Sequence, residues 1–230
     1  MRRKKDGEAL WTAVDAYLAE HLIARDEVLE AALKDSEAAG LPAIQVTALG
    51  GKMLQIFARM VGARRILEVG TLGGYSTIWL GRALPEDGRL ITLEASAKHA
   101  AVARKNLERA GLMGSDDAKV ELREGPALET LPQLAAEGAG PFDLIFLDAD
   151  KEHNAEYFEW ALRLSRAATV IVTDNVVREG AIIDPKSKDP MVRGTRRFFE
   201  AVSAEPRVTA TAIQTVSGKK HDGFALLMVG

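Results

Sequence analysis

The sequence predicts an α/β protein with a Rossmann-like, doubly wound and mainly parallel sheet, and three observations carry that expectation. From Arg65 onward, short apolar segments alternate with segments of helical spacing, the pattern of strands covered by helices on both faces. The run Ile66-Leu67-Glu68-Val69-Gly70-Thr71-Leu72-Gly73-Gly74-Tyr75-Ser76 reads as a strand, a glycine turn and a helix start. Polar clusters then recur where later strands end, and ligands of open α/β sheets sit beyond those C-terminal ends.

Taken in order, residues 8–39 read as two helices rich in Ala, Leu and Glu, closed by Leu41-Pro42. A further helix near 49–60 carries Met53, Leu54, Ile56, Phe57 and Met60, a stripe read as core packing. Strands are predicted at 65–69, 89–94, 118–123, 142–147, 168–173, 206–213 and 222–229, and helices near 75–84, 96–110, 127–136, 153–164 and 191–203. The last two strands have no helix between them, so they are expected to pair antiparallel at the sheet edge. Residues 176–190, with Gly180, Pro185 and Pro190, form a loop of the length that tends to be functional. One domain is expected, with N-terminal helices over 1–62 and an α/β core over 63–230.

Composition narrows the class of function. A hydrophobic fraction of 47% is enough for a sizeable core, and a net charge of −3 lacks the basic footprint of a nucleic-acid binder. The absence of cysteine removes disulfides, thiolate metal sites and cysteine nucleophiles. No apolar run approaches the roughly 18 residues of a membrane span. The basic start at residues 2–6 is not followed by the apolar segment of a secretory signal. The expectation is a cytoplasmic protein with a small-molecule partner and neither nucleic acid nor membrane.

The glycine turn points to an adenosine-containing cofactor. A dinucleotide fingerprint reads G-x-G-x-x-G, and Leu72 breaks it. Glu68, two residues before Gly70, suits a cationic group better than a pyrophosphate, and the sulfonium and ammonium of S-adenosylmethionine are such groups. Glu94, at the tip of the next strand, stands where a ribose diol is hydrogen-bonded in nucleotide-binding α/β folds.

Two later strands end in chemistry. Phe142-Asp143-Leu144-Ile145-Phe146-Leu147 runs into Asp148-Ala149-Asp150-Lys151, and Thr169-Val170-Ile171-Val172-Thr173 runs into Asp174-Asn175. If these strands are neighbours, Asp148, Asp174 and Asn175 supply three oxygen ligands, a set suited to Mg²⁺. With only His21, His99, His153 and His221 scattered along the chain, zinc is disfavoured. Lys151 reads either as a surface lysine or as a general base, the second requiring a nearby cation or desolvation to work near neutral pH.

Together, Glu68-Val69-Gly70, Gly73-Gly74-Tyr75-Ser76, Leu147-Asp148-Ala149-Asp150-Lys151 and Asp174-Asn175-Val176 resemble the cation-dependent class I O-methyltransferases, which include the caffeoyl-CoA and catechol enzymes and their bacterial relatives. The resemblance runs from about Gln45 to the C-terminus. It implies a seven-stranded sheet of order 3-2-1-4-5-7-6 with the last strand antiparallel, and a homodimer. It implies a divalent metal (Mg²⁺, Mn²⁺ or Ca²⁺) on Asp148, Asp174 and Asn175, with Lys151 as the base. S-adenosylmethionine would lie against Val46, Glu68, Gly70, Thr71, Ser76, Glu94, Ala127, Asp148 and Asp150, and the acceptor would be catechol-like or another vicinal hydroxyl compound. Two departures fall on the acceptor side. The plant caffeoyl-CoA enzymes have Leu-Trp and then asparagine where this chain has Val177-Arg178 and then Glu179. The catechol enzymes carry a bulky aromatic where it has Asp150.

Other readings have specific counter-signals. An NAD-linked oxidoreductase conflicts with the broken fingerprint. A base N-methyltransferase would carry an Asn/Asp-Pro-Pro-aromatic run where Asp148-Ala149-Asp150-Lys151 stands. A non-catalytic cofactor-binding scaffold would have no need of Lys151 or of the three proposed ligands.

Overall fold

A computed structural model describes residues 2–218 and 220–230, with side chains described from residue 7 onward. Three helices, α1 (Arg2–Leu22), α2 (Glu27–Ala38) and α3 (Ala48–Met60), precede the sheet. Then come β1 (Arg65–Val69), α4 (Tyr75–Gly81), β2 (Arg89–Glu94), α5 (Ala97–Arg109), β3 (Val120–Glu124), α6 (Ala127–Ala136), β4 (Phe142–Leu147), α7 (Asn154–Arg163), β5 (Ser165–Asp174), α8 (Pro190–Ala204), β6 (Val208–Ser217) and β7 (Lys220–Val229). The seven strands form one sheet in the order β3-β2-β1-β4-β5-β7-β6, the order the resemblance implies. Strands β1 to β5 pair in parallel, and β7 runs antiparallel to both β5 and β6.

The alternation of side chains along each strand divides the core in two. Ile66, Leu90, Leu144, Phe146 and Val172 pack under α2, α3, α4 and α5, whereas Leu67, Ile91, Ile145, Leu147 and Ile171 pack against α6, α7 and α8. Strands covered on both faces read as near-continuous apolar runs, which is why β1, β2 and β4 are plain in the sequence. The same parity puts Glu68, Thr92, Glu94, Asp148 and Asp174 on the α4 side, at or near the C-terminal strand ends. Helix starts are set by side chains. Asp26 accepts from Val28 N and Leu29 N at 3.1 and 3.0 Å to cap α2, and it also pairs with Arg82 after α4 at 2.6 Å. Thr47 caps α3 by accepting from Gly50 N at 3.0 Å.

Several boundaries differ from the sequence expectation. Strand β5 starts at Ser165, because Phe142 pairs with Ser165 before a register shift and the left-handed Ala168 (φ 68°) bring Val170 opposite Leu144. Strand β6 runs on to Ser217, since β7 pairs with it residue by residue from Val208–Val229 to Ser217–Lys220. Its polar residues concealed this, for nearly all of β6 is exposed on both faces. The α3 stripe also divides: Leu54 is buried, while Ile56 and Met60 face solvent. No helix among the described residues is long and apolar enough to cross a membrane.

Candidate active site

A cavity of about 780 Å³ opens beyond the C-terminal ends of the central strands. Val46, Gly70, Thr71, Ser76, Glu94, Ala127, Asp148, Asp150, Lys151 and Asn175 all line it. Glu68 and Asp174, also expected at the site, are not among its lining residues.

The turn after β1 makes the floor. Gly70 has φ 107°, and a Cβ there would collide with the carbonyl of Asp148, so β1 and the end of β4 can approach this closely only through a glycine. Glu68 lies beneath this turn, fully buried, where Oε2 accepts from Thr77 Oγ1 at 2.5 Å and from Thr92 Oγ1 at 2.7 Å. Thr92 Oγ1 is in turn 2.6 Å from Thr71 Oγ1. Burial pushes the Glu68 carboxyl up to about 7, against the hydroxyls of Ser76, Thr77 and Thr92, which favour its charged form.

Glu94 is held by its surroundings. Its Oε2 accepts from Leu72 N at 2.7 Å and its Oε1 from Ser96 N at 2.9 Å, with His99 Nδ1 3.3 Å away. The carboxylate therefore ties the glycine turn to the start of α5, and lone pairs remain for a diol. Across the cavity, Asp150 accepts from Tyr157 OH at 2.5 Å and contacts His153 Nδ1. Burial works against the Asp150 charge, but those two hydrogen bonds and the His153 charge hold its carboxyl below the usual range. His153 and Tyr157 also line the cavity, and neither was singled out from the sequence. Tyr157 follows Asp150 by about two helical turns, a spacing that could have revealed it.

Beta pairing sets the acidic end. Leu147 pairs with Thr173, which brings Asp148 and Asp174 level on adjacent strands. Lys151, buried at the start of a 3-10 turn (Lys151–His153), donates from Nζ to Asp148 Oδ1 at 2.5 Å. Helix α8 crosses against this turn so closely that a Cβ at Gly194 would strike the carbonyls of Lys151 and Glu152. Burial, together with the neighbouring Asp148 charge, pushes Asp174 up to about 7, while the Lys151 charge and the Asn175 N–H at 2.8 Å act the other way. Among the described residues no group of three His, Cys, Asp or Glu is arranged to hold a metal. The candidate set is instead two carboxylates and the Asn175 amide. Its donors are all oxygens, the chemistry a hard divalent cation requires, and Lys151 Nζ beside Asp148 offsets only part of the two acids' charge.

Beyond Asn175 the chain is folded rather than open. Residues Arg178–Ile183 form 3-10 turns, and Arg196 of α8 donates to Ile182 O at 2.5 Å. Asp222 of β7 accepts from Val177 N and Arg178 N at 3.0 and 3.1 Å, fixing Arg178 at the cavity wall.

A glycine turn after β1, an acid at the tip of β2 and a lysine–carboxylate pair after β4, on a sheet of this order, define a cofactor-binding class I methyltransferase fold. The O-methyltransferase family profile matches residues 19–226, so the chain belongs to that family. It is 52% identical to a catechol O-methyltransferase of Niastella koreensis over 96% of this chain and 98% of that one. The crystal structure of an O-methyltransferase from Bacillus cereus in complex with S-adenosylhomocysteine is 56% identical, covers 97% of this chain and 100% of its own, and superposes with a TM-score of 0.94. An O-methyltransferase from Streptomyces achromogenes involved in tomaymycin synthesis, in complex with S-adenosylmethionine, is 47% identical over 96% and 98% of the two chains, with a TM-score of 0.92.

Proposed function

We propose that this protein transfers the methyl group of S-adenosylmethionine to one hydroxyl of a catechol-type acceptor, with a divalent cation held by Asp148, Asp174 and Asn175 and with Lys151 as general base. The observation that carries the reading is the Lys151–Asp148 pair, a buried lysine Nζ 2.5 Å from a carboxylate at the edge of the cofactor cavity. The likeness to a catechol enzyme at 52% identity supports the acceptor class. The two cores share one sheet and α2 and α3 pack into it, which supports one domain over the whole chain.

In this reading Glu94 accepts from the cofactor's ribose diol, and Ala127 and Asp150 bound its adenine end. Val46, Gly70, Thr71, Ser76 and Asp148 border the rest, and Glu68 supports the floor from below. S-adenosylmethionine supplies the transferable methyl on a sulfonium. A divalent cation at the acidic end supplies the charge that lowers the pKa of an acceptor hydroxyl. Lys151, as the neutral amine, takes that hydroxyl's proton at Nζ and becomes the ammonium that the adjacent Asp148 carboxylate pairs with, and its burial keeps bulk water from competing for the same position. Much of the rate enhancement comes from holding the two reactants in line.

The test is a methyl-transfer assay with labelled S-adenosylmethionine, Mg²⁺ and catechol, with and without chelator. Transfer that stops on chelation and returns with Mg²⁺ is expected. Full activity after exhaustive chelation would overturn the metal assignment, and absence of transfer to any diphenol would overturn the acceptor class.

A further inference from the structure

Arg178 occupies the part of the cavity wall that also holds Lys151, Asn175 and Met191. Its backbone is left-handed (φ 55°), as are Asn175 (55°) and Glu179 (54°), a conformation that costs energy in a residue with a Cβ. The Asp222 carboxylate pins it, accepting from Val177 N, Arg178 N and Gly223 N at 3.0, 3.1 and 3.0 Å. The strained turn therefore presents one particular side chain to the cavity.

That side chain is poorly satisfied. A guanidinium has five N–H donors. Among the described residues Arg178 forms no ion pair: Nη2 reaches the Met191 thioether at 3.3 Å, and Nε is buried without a hydrogen-bond partner. Thioether sulfur is a weak acceptor, so this contact gives way readily to a carboxylate, which a guanidinium binds through two parallel hydrogen bonds.

We infer that Arg178 is a specificity-determining residue that selects acceptors bearing a carboxylate on the aromatic ring. The inference rests on the proposed O-methyl transfer and adds the charge of the acceptor to it. The methionine end of the cofactor also carries a carboxylate, so the experiment must separate the two sources.

The test compares 3,4-dihydroxybenzoate with its methyl ester, in wild type and in the Arg178→Met and Arg178→Lys variants. A charge-assisted hydrogen bond lost here corresponds to about a tenfold to hundredfold change. Arg178→Met is expected to lower kcat/KM for the benzoate at least tenfold more than for the ester, chiefly through KM, and Arg178→Lys to recover part of that difference. Using the ratio of variant to wild type cancels the different intrinsic acidities of the two diphenols. Equal losses on both acceptors would overturn the inference. So would a matching loss of S-adenosylhomocysteine affinity in Arg178→Met, which would assign the arginine to the cofactor. If neither acceptor is methylated, the proposed function fails by itself. The inference is then read from calorimetric binding of 3,4-dihydroxybenzoate in the presence of S-adenosylhomocysteine and Mg²⁺. Binding that is lost in Arg178→Met upholds it, and no binding, or equal binding, overturns it.

Discussion

Lys151 Nζ lies 2.5 Å from Asp148 Oδ1, and Lys151 is almost wholly buried. Three residues apart, the two arrive together because β4 ends at Leu147 and a 3-10 turn begins at Lys151. A free lysine on a solvated surface would have no such constraint. Lys151→Ala is expected to lower turnover by about 10²- to 10⁴-fold on a weakly acidic acceptor while leaving cofactor affinity nearly intact. Rates measured across diphenols of graded hydroxyl pKa check the role. The defect should shrink as the hydroxyl becomes more acidic, and a constant defect would make Lys151 a positioning residue.

Glu94 bonds two backbone N–H groups, Leu72 N and Ser96 N, and still faces the cavity. Glu94→Ala should therefore weaken S-adenosylmethionine binding by about tenfold to a hundredfold, the range for a lost hydrogen bond to a charged group. Calorimetric titration gives the affinity. Unchanged affinity would remove Glu94 from the cofactor site and leave it as a brace for the turn.

Glu68 gives a pH dependence with a definite sign. Its carboxyl is raised from 4.5 to about 7, so between these values the folded protein keeps a proton that the unfolded chain has lost. Stability should thus fall as pH rises from 4.5 to about 7, by up to ~1.4 kcal/mol per pH unit, and this contribution should level off above that window. Denaturant titrations at pH 5, 6 and 7 on wild type and Glu68→Gln check it. A slope unchanged by the substitution would mean another group titrates.

Gly194 touches the turn that carries Lys151 from outside the cavity. Alanine there would press on the carbonyls of Lys151 and Glu152, an overpacking that costs about 1–3 kcal/mol. The melting temperature should drop, and kcat should fall more than cofactor affinity, because the displaced segment carries Lys151 and not the glycine turn. Wild-type kcat in a correctly folded Gly194→Ala would show that the turn tolerates movement.

Much of this site is legible from strand ends alone. The apolar runs of β1, β4 and β5 stop one residue before Gly70 and Asp148 and at Asp174, so their order in the sheet is all that is needed to bring the three together. Other parts depend on tertiary folding. Asp222 reaches back 44 and 45 residues to set Arg178 and Val177, and no local pattern announces that contact. The left-handed backbone at Arg178 is equally silent, because arginine carries no conformational signature there. Glu68 is legible as an acid just before the glycine turn, but its burial beneath the cavity and its turn toward Thr77 and Thr92 follow from which face of β1 meets α4.

The position of β7 has a consequence for how the protein is made. It is inserted between β5 and β6, pairing Asp174 with Phe224, while Asp222 at its start holds the turn bearing Arg178. During synthesis the glycine turn, Glu94, Asp148 and Lys151 all leave the ribosome well before these partners exist. A nascent chain up to β6 thus holds the glycine-turn half of the cavity but lacks the strand that flanks the acidic end. The half of the cavity around Arg178 is completed only when residues 220–229 pair into the gap between β5 and β6, which makes assembly of that half an event that follows translation of the rest.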